Sequence, residues 1–335
     1  MVSIEKDVPR IRLGSIVEAL DVIPHLLGFQ PVESLVIMVA CEGRVKVTAR
    51  VDLEALRQPF VLPDLLGRLW ARFPTGDAHV IAYSADHEGG WQALDACDAW
   101  LVPRVHRTLT LVDGARWQTE GPEGPSGRLG GWDCRVTAEA VFHGLVARGS
   151  RDELAATIAG PRASEVEHLQ EVIERQRDAL AEVPVTQWLT EVGKAIRGFR
   201  PDQGIEDDEA ARLAIMVRDP EACQVAVLSI TAQDSDHHRA LWTAVVRRCP
   251  PEWQGEPLGV LGMACWAGGD GAMLTICLER AEVLVPDSDL VGILSNLING
   301  VVPPTAWEDL RRQLLRSAPP RVRRTACPPP SRRRR

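Results

Sequence analysis

The sequence predicts an α/β domain carrying a mixed sheet with a β-hairpin, followed by an all-α domain of tetratricopeptide-like helical hairpins. Three observations carry this expectation. Two β-rich runs, ESLVIMVA (33–40) and RVKVTARVDL (44–53), flank Cys41, Glu42 and Gly43. Further β-rich segments then alternate with amphipathic ones as far as residue 112. Beyond Cys134 the β-signals give way to helix punctuation.

The hairpin comes first along the chain. In its second run Val45, Val47, Ala49 and Val51 alternate with Arg44, Lys46, Thr48 and Arg50, the period of a strand with one solvated face. The first run is apolar throughout, as a strand interior to a sheet is. A three-residue loop with Gly43 in the left-handed region sets Leu35, Ile37 and Val39 opposite Ala49, Val47 and Val45. That register places Ser34 across from Arg50, with Asp52 just beyond. Further strands are expected at 79–84 and 107–112, and helices near 64–73 and 90–102. The glycine-rich stretch 113–132 then reads as a functional flap or a disordered loop closing a first domain of residues 1–134.

The second domain, 135–310, is marked by Ser150 with Glu153, Ser164 with Glu167 and Thr305 with Glu308, each at capping-box spacing. Val166, Leu169, Ile173 and Leu180 form one helical stripe. Asp234 and Pro250 recur 36 residues later as Asp270 and Pro286, so two helical hairpins of tetratricopeptide type are expected, with Ala272 where two helices approach. Ten tryptophans accompany one tyrosine, and Trp70, Trp91, Trp100, Trp188, Trp242, Trp266 and Trp307 fall in the expected helices as large core residues. Trp117 and Trp132, beside the glycine-rich stretch, read instead as contact residues.

At 335 residues the chain is long enough for two domains and a sizeable core. It holds no run of about 18 apolar residues, and its first twenty residues lack a signal-peptide core, so a soluble cytoplasmic protein with no membrane contact is expected. Eight scattered cysteines without a C-x-x-C pair point to neither a disulfide framework nor structural zinc. The net charge of −8 is unevenly spread: ten arginines and no acid follow residue 310, leaving 28 basic and 46 acidic residues before it, a charge of −18. Only three of the 38 basic residues are lysines, so arginine is the default cation throughout and marks phosphate recognition less strongly than usual. Pro319, Pro320 and the prolines at 328–330 interrupt the tail, so 311–335 is expected to be disordered. Its contacts with nucleic acid should be weak, sequence-blind and salt-sensitive, and its removal from 317 on should leave the fold unchanged.

Several stretches carry a resemblance: DVIPHLLGFQP from Asp21 with ESLV (33–36), ARVD (49–52), VDGARW (112–117), and Trp266 with GDGA (269–272) and ERA (279–281). On these the chain resembles an actinobacterial family known as domain of unknown function 4192, over about Leu13 to Leu310. The resemblance implies no activity. Relatives tend to carry cysteines after the Arg-Trp strand, where this chain has Gln118 to Gly124, so no metal or redox role is implied for that loop.

One constellation has the ingredients of a site. His25, Ser34, Arg50 and Asp52, with Glu33 nearby, combine a hydroxyl, an imidazole and a carboxylate with a cation that could hold an anion. Ser34 lies in no G-x-S-x-G elbow, and an N-capping or cross-strand hydrogen bond with an Arg50–Asp52 ion pair is the simpler reading. Asp234, Asp236, His237 and His238 are potential metal ligands, yet helix neighbours diverge, and capping explains them better. Glu206 to Glu209 reads as a solvated helix start. Without a Walker loop, G-x-G-x-x-G, H-E-x-x-H or kinase motifs, no cofactor or metal is expected. The function expected is a non-catalytic binding or adaptor protein with a protein partner on its helical domain. The competing expectation is a hydrolase acting through the 25–52 cluster beneath the 113–132 loop.

Overall fold

The computed structural model describes residues 13–101, 106–130 and 134–327. These form a first unit that runs to Leu154 and includes Asn299–Val301, and a second comprising 155–298 and the chain from Val302 on. The boundary expected at 134 therefore falls some twenty residues too early. The reason is packing: α4 (Arg135–Phe142) places Val136 and Ala140 on Val22 of α1 (Ile16–Leu27), so it completes the first unit.

In the first unit α1 is followed by β1 (Ser34–Cys41), β2 (Arg44–Asp52), α2 (Val61–Arg72), β3 (Asp77–Tyr83), α3 (His87–Leu101), β4 (Arg107–Asp113), β5 (Arg116–Thr119) and β6 (Ser126–Arg128). The six strands form one mixed sheet in the order β2-β1-β3-β4-β5-β6, with β3 and β4 parallel and the other pairs antiparallel. As its apolar sequence requires, β1 is interior to the sheet, buried from Ser34 to Val39. Leu35, Ile37, Val39, Val80 and Ala82 pack beneath Leu66, Leu69 and Trp70 of α2 and Leu94, Cys97 and Leu101 of α3. Val36, Met38, Ile81 and Tyr83, of opposite parity, are buried on the other face.

The hairpin register differs from the expected one by two residues. Ser34 pairs with Asp52 and Val36 with Arg50, while Ile37 faces Ala49 and Val39 faces Val47. The turn holds two residues, Glu42 (φ 53°) and Gly43 (φ 70°), both left-handed, which suits the twist of a tight hairpin. Such a turn alone would bring Val39 opposite Lys46 and exchange the faces of β2. A bulge at Lys46, between Val45 opposite Ala40 and Val47 opposite Val39, restores the apolar face. Parity was thus readable from the pattern, and register was not.

The stretch expected as a flap contributes two strands to the sheet. Gly114 (φ 55°) and Ala115 turn the chain between Asp113 and its partner Arg116, and β5 and β6 extend the sheet edge. Trp117 pairs with Gly127, where an added Cβ would meet the indole at 3.0 Å, so this glycine makes room for a ring. Trp132 lies outside the described residues.

The second unit is helical: α5 (Arg151–Ala156) leads in from the first, then come α6 (Ala163–Ala181), α7 (Val185–Gly198), α8 (Asp207–Met216), α9 (Pro220–Leu228), α10 (Ser235–Arg247), α11 (Gly255–Ala267), α12 (Gly271–Leu284), α13 (Asp289–Asn299), α14 (Trp307–Ser317) and α15 (Pro320–Ala326). Nearly every residue of α11 is buried. At Gly259 and Gly262 an added Cβ would lie 2.9 Å from Leu290 and Leu294 of α13, a close approach of the kind sequence placed at Ala272, which is only half-buried. Asp270 caps α12 through Met273 N, whereas Asp234 holds the turn before α10 by accepting from Thr231 N. All seven tryptophans expected in helices are there, with Trp242 and Trp307 fully buried.

The tail corrects another expectation. Residues 311–317 and 320–326 are helical: α14 runs past 311 to Ser317, and α15 begins with Pro320 in its first turn, where a missing N–H costs nothing. The prolines start a helix here. Val322 and Ala326 are buried, and Arg311, itself buried, donates from Nε to the Leu228 carbonyl at the end of α9. The prolines at 328–330 and arginines at 332–335 lie outside the described residues.

Candidate functional site

Three of the four singled-out residues meet on one face of the hairpin. Although Ser34 sits opposite Asp52, the long Arg50 side chain reaches diagonally and donates from Nε to Ser34 Oγ at 2.9 Å. Ser34 Oγ donates in turn to the Val32 carbonyl at 2.6 Å. Arg50 also pairs with Asp52 Oδ1 at 2.5 Å, and its guanidinium lies 5.7 Å from the centre of the Phe29 ring. The Ser34 proton is committed to a carbonyl, and the cation to a carboxylate.

His25 does not join them. Buried on α1, it donates from Nδ1 to the Leu145 carbonyl at 2.8 Å, tying α1 to the segment after α4. No nucleophile–base pair is therefore assembled from His25 and Ser34.

Glu33 acts at the carboxyl ends of the parallel strands, the usual ligand position in α/β sheets. Held at φ 43°, it accepts from Ser84 Oγ at 2.9 Å and from Ala85 N at 3.0 Å. Asp86 accepts from Gly89 N, and His87 lies 2.9 Å from Asp113 Oδ2 across the β3 and β4 ends. Two amides at the entry to α3, Ala85 N and Gly89 N, are thus taken by the chain's own carboxylates, and Asp86 N by the Ser84 hydroxyl. Sequence reading missed Ser84, Asp86 and the His87–Asp113 pair, although Ser-Ala-Asp directly after a β-run is a helix-start signal.

The phenol of Tyr83 is buried without a hydrogen-bond partner, and burial together with the Asp21 charge pushes its pKa up. On the other face, a cleft of about 220 Å³ between α3 and the β4–β5 arm is lined by Trp91, Asp95, Asp98, Arg107, Leu109, Glu120 and Gly121. Arg107 is ion-paired to Asp98, so Asp95 and Glu120 leave this cleft net acidic and unsuited to anions.

Among the described residues no group of three His, Cys, Asp or Glu is placed to hold a metal ion, and no helix is long and apolar enough to cross a membrane. In the Asp234–His238 run, His237 lies 2.6 Å from the Ile196 carbonyl while His238 is buried, which drives its pKa down to about 4. The Glu206–Glu209 run is a solvated helix start, with Asp207 paired to Arg248 and Asp208 to Arg175.

A family model described as a domain of unknown function, DUF4192, matches residues 17–305. The chain belongs to the DUF4192 family. No curated protein and no solved structure matches it. In this DUF4192 chain, the stretches that carry the resemblance act as ties. Asp21 accepts from Gly130 N, Gly28 (φ 76°) ends α1, Trp266 Nε1 donates to the Val302 carbonyl, and Asp270 pairs with Arg239. Arg280 donates to the Ile158 carbonyl and to the buried Gln254.

Proposed function

We propose that the protein is a non-catalytic binding or adaptor protein. What supports this reading is the commitment of every reactive group near Ser34 to an intramolecular bond, set beside an exposed apolar cluster at the end of α4. Phe142 is 85% exposed, flanked by Val141 and Val146 at 49% and 55%, a display that folding alone does not reward. The sequence reading assigned the partner surface to the helical domain; the reading proposed here puts it on α4, which packs in the first unit.

The test has two arms. Incubation with a fluorophosphonate probe should leave Ser34 unlabelled, and labelling at Ser34 would favour the hydrolase reading. Affinity capture from the native host should retain a protein on the wild type that a folded Phe142→Asp variant loses. Equal retention by both would remove α4 as the docking surface.

A further inference from the structure

From the helical unit we infer a nucleic-acid-binding face formed by α7 and α15, independent of the α4 surface. The two helices are in close contact: an added Cβ at Gly193 would lie 2.6 Å from Thr325 Cγ2, and Arg197 donates to the Thr325 carbonyl at 3.4 Å. Lys194, Arg197, Arg323 and Arg324 are all exposed on these helices. None of the four forms an ion pair among the described residues. Glu191 of α7 and Glu221, which faces α15, are otherwise engaged, with Arg212 and Arg321 respectively.

Elsewhere in the helical unit Arg175, Arg212, Arg239, Arg248, Arg312 and Arg321 each meet a carboxylate, and the exposed Arg162, Arg247 and Arg316, which form no ion pair among the described residues, stand singly at α6, α10 and α14. In a chain whose first 310 residues carry −18, a concentration of unpaired cations costs self-attraction that the sequence could have used. No acid follows Asp309, and four more arginines end the sequence at 332–335. Adjacent cations that no carboxylate neutralises match a phosphate polymer better than an acidic protein, whose carboxylates are sparser and alternate with other groups. Because α15 is docked, its arginines share an ordered surface with α7. Contacts of this kind reach the backbone and carry no sequence preference.

The test is fluorescence anisotropy of the full chain with a labelled duplex of about 20 base pairs, in salt from 50 to 200 mM. For about four phosphate contacts, affinity should fall on the order of 100-fold across that range. The Lys194→Glu/Arg324→Glu variant, with circular dichroism and melting matched to wild type, should bind at least about tenfold more weakly, with the salt slope reduced by about two. Removal of 328–335 should weaken binding less than this variant does. No binding at 50 mM salt, an unchanged affinity in the double variant, or loss of binding on removing 328–335 alone would each overturn the proposal. Displacement of the duplex by poly-glutamate at equal charge would assign the face to an acidic protein instead.

Discussion

The hairpin cluster and the α7–α15 face hold similar residue types in opposite states. Arg50 has a carboxylate, a hydroxyl and a ring, and its side chain is 16% exposed; Lys194 and Arg324 stand in solvent with no carboxylate partner among the described residues. In sequence the hairpin cluster resembles an active site because it gathers Ser, His, Arg and Asp. Its geometry uses those groups to fasten β1 to β2 and α1 to the α4 segment. The α7–α15 face draws half of its cations from what reads as a low-complexity tail, and yet all of them are displayed on packed helices. Residue type alone marks neither region; what separates them is whether each polar group already has its partner.

The largest effect expected from breaking this contrast is loss of α15. Deleting residues from 318 on removes the buried Ala318, Val322 and Ala326 and uncovers the apolar surfaces of α7 and α9. We expect a stability loss of about 3 kcal/mol or more, measured by urea unfolding, against no change when only 328–335 are removed. Wild-type stability for the longer deletion would return 311–326 to the disordered state first expected of it.

Next in size is a pH effect inside the helical unit. His238 is buried beside Asp234 and His237, and burial lowers its pKa from 6.5 to about 4. The unfolded chain takes up this proton first, so stability is complete above pH 6.5 and declines as pH falls towards 4. The full loss is about 3 kcal/mol, and unfolding curves at pH 7 and 4.5 should recover most of it. The difference should shrink in His238→Phe; an identical pH slope in that variant would assign the acid sensitivity to other groups.

The smallest effects should come from the cluster that most resembles a site. Arg50→Ala leaves a buried hydroxyl short of a donor and is expected to cost about 1–3 kcal/mol. Asp52→Asn should cost less than about 1 kcal/mol, because the Asp52 side chain is 60% exposed and its ion pair is screened. A double-mutant cycle of Ser34→Ala with Arg50→Ala should show coupling of about 1 kcal/mol. No coupling would mean that the diagonal bond does not fasten the hairpin in solution.

Much of the candidate site was legible in outline. That Ser34, Arg50 and Asp52 share a face followed from period-two alternation, since parity survives any shift of two. The contact itself came out diagonal because a two-residue turn and one bulged residue, Lys46, replace the expected three-residue loop. No pattern placed His25, whose distance from Ser34 depends on how α1 lies on the sheet. Nor did any pattern show that Glu33 would occupy the amides after β3, a contact spanning 52 positions in the chain.

By itself the sequence determined the two-part architecture, the interior place of β1, the helical setting of the tryptophans and the acidic and basic halves of the charge distribution. All of these rest on local composition and periodicity, which neighbouring residues enforce. Tertiary structure alone decided that α4 completes the sheet unit, that Gly127 seats Trp117, that Pro320 opens a helix and that Arg311 caps α9 from 83 residues away. Those outcomes depend on which surfaces meet. A proline or glycine allows a turn, a break or a close contact equally well until a buried partner such as Val322 or a ring such as Trp117 selects one of them.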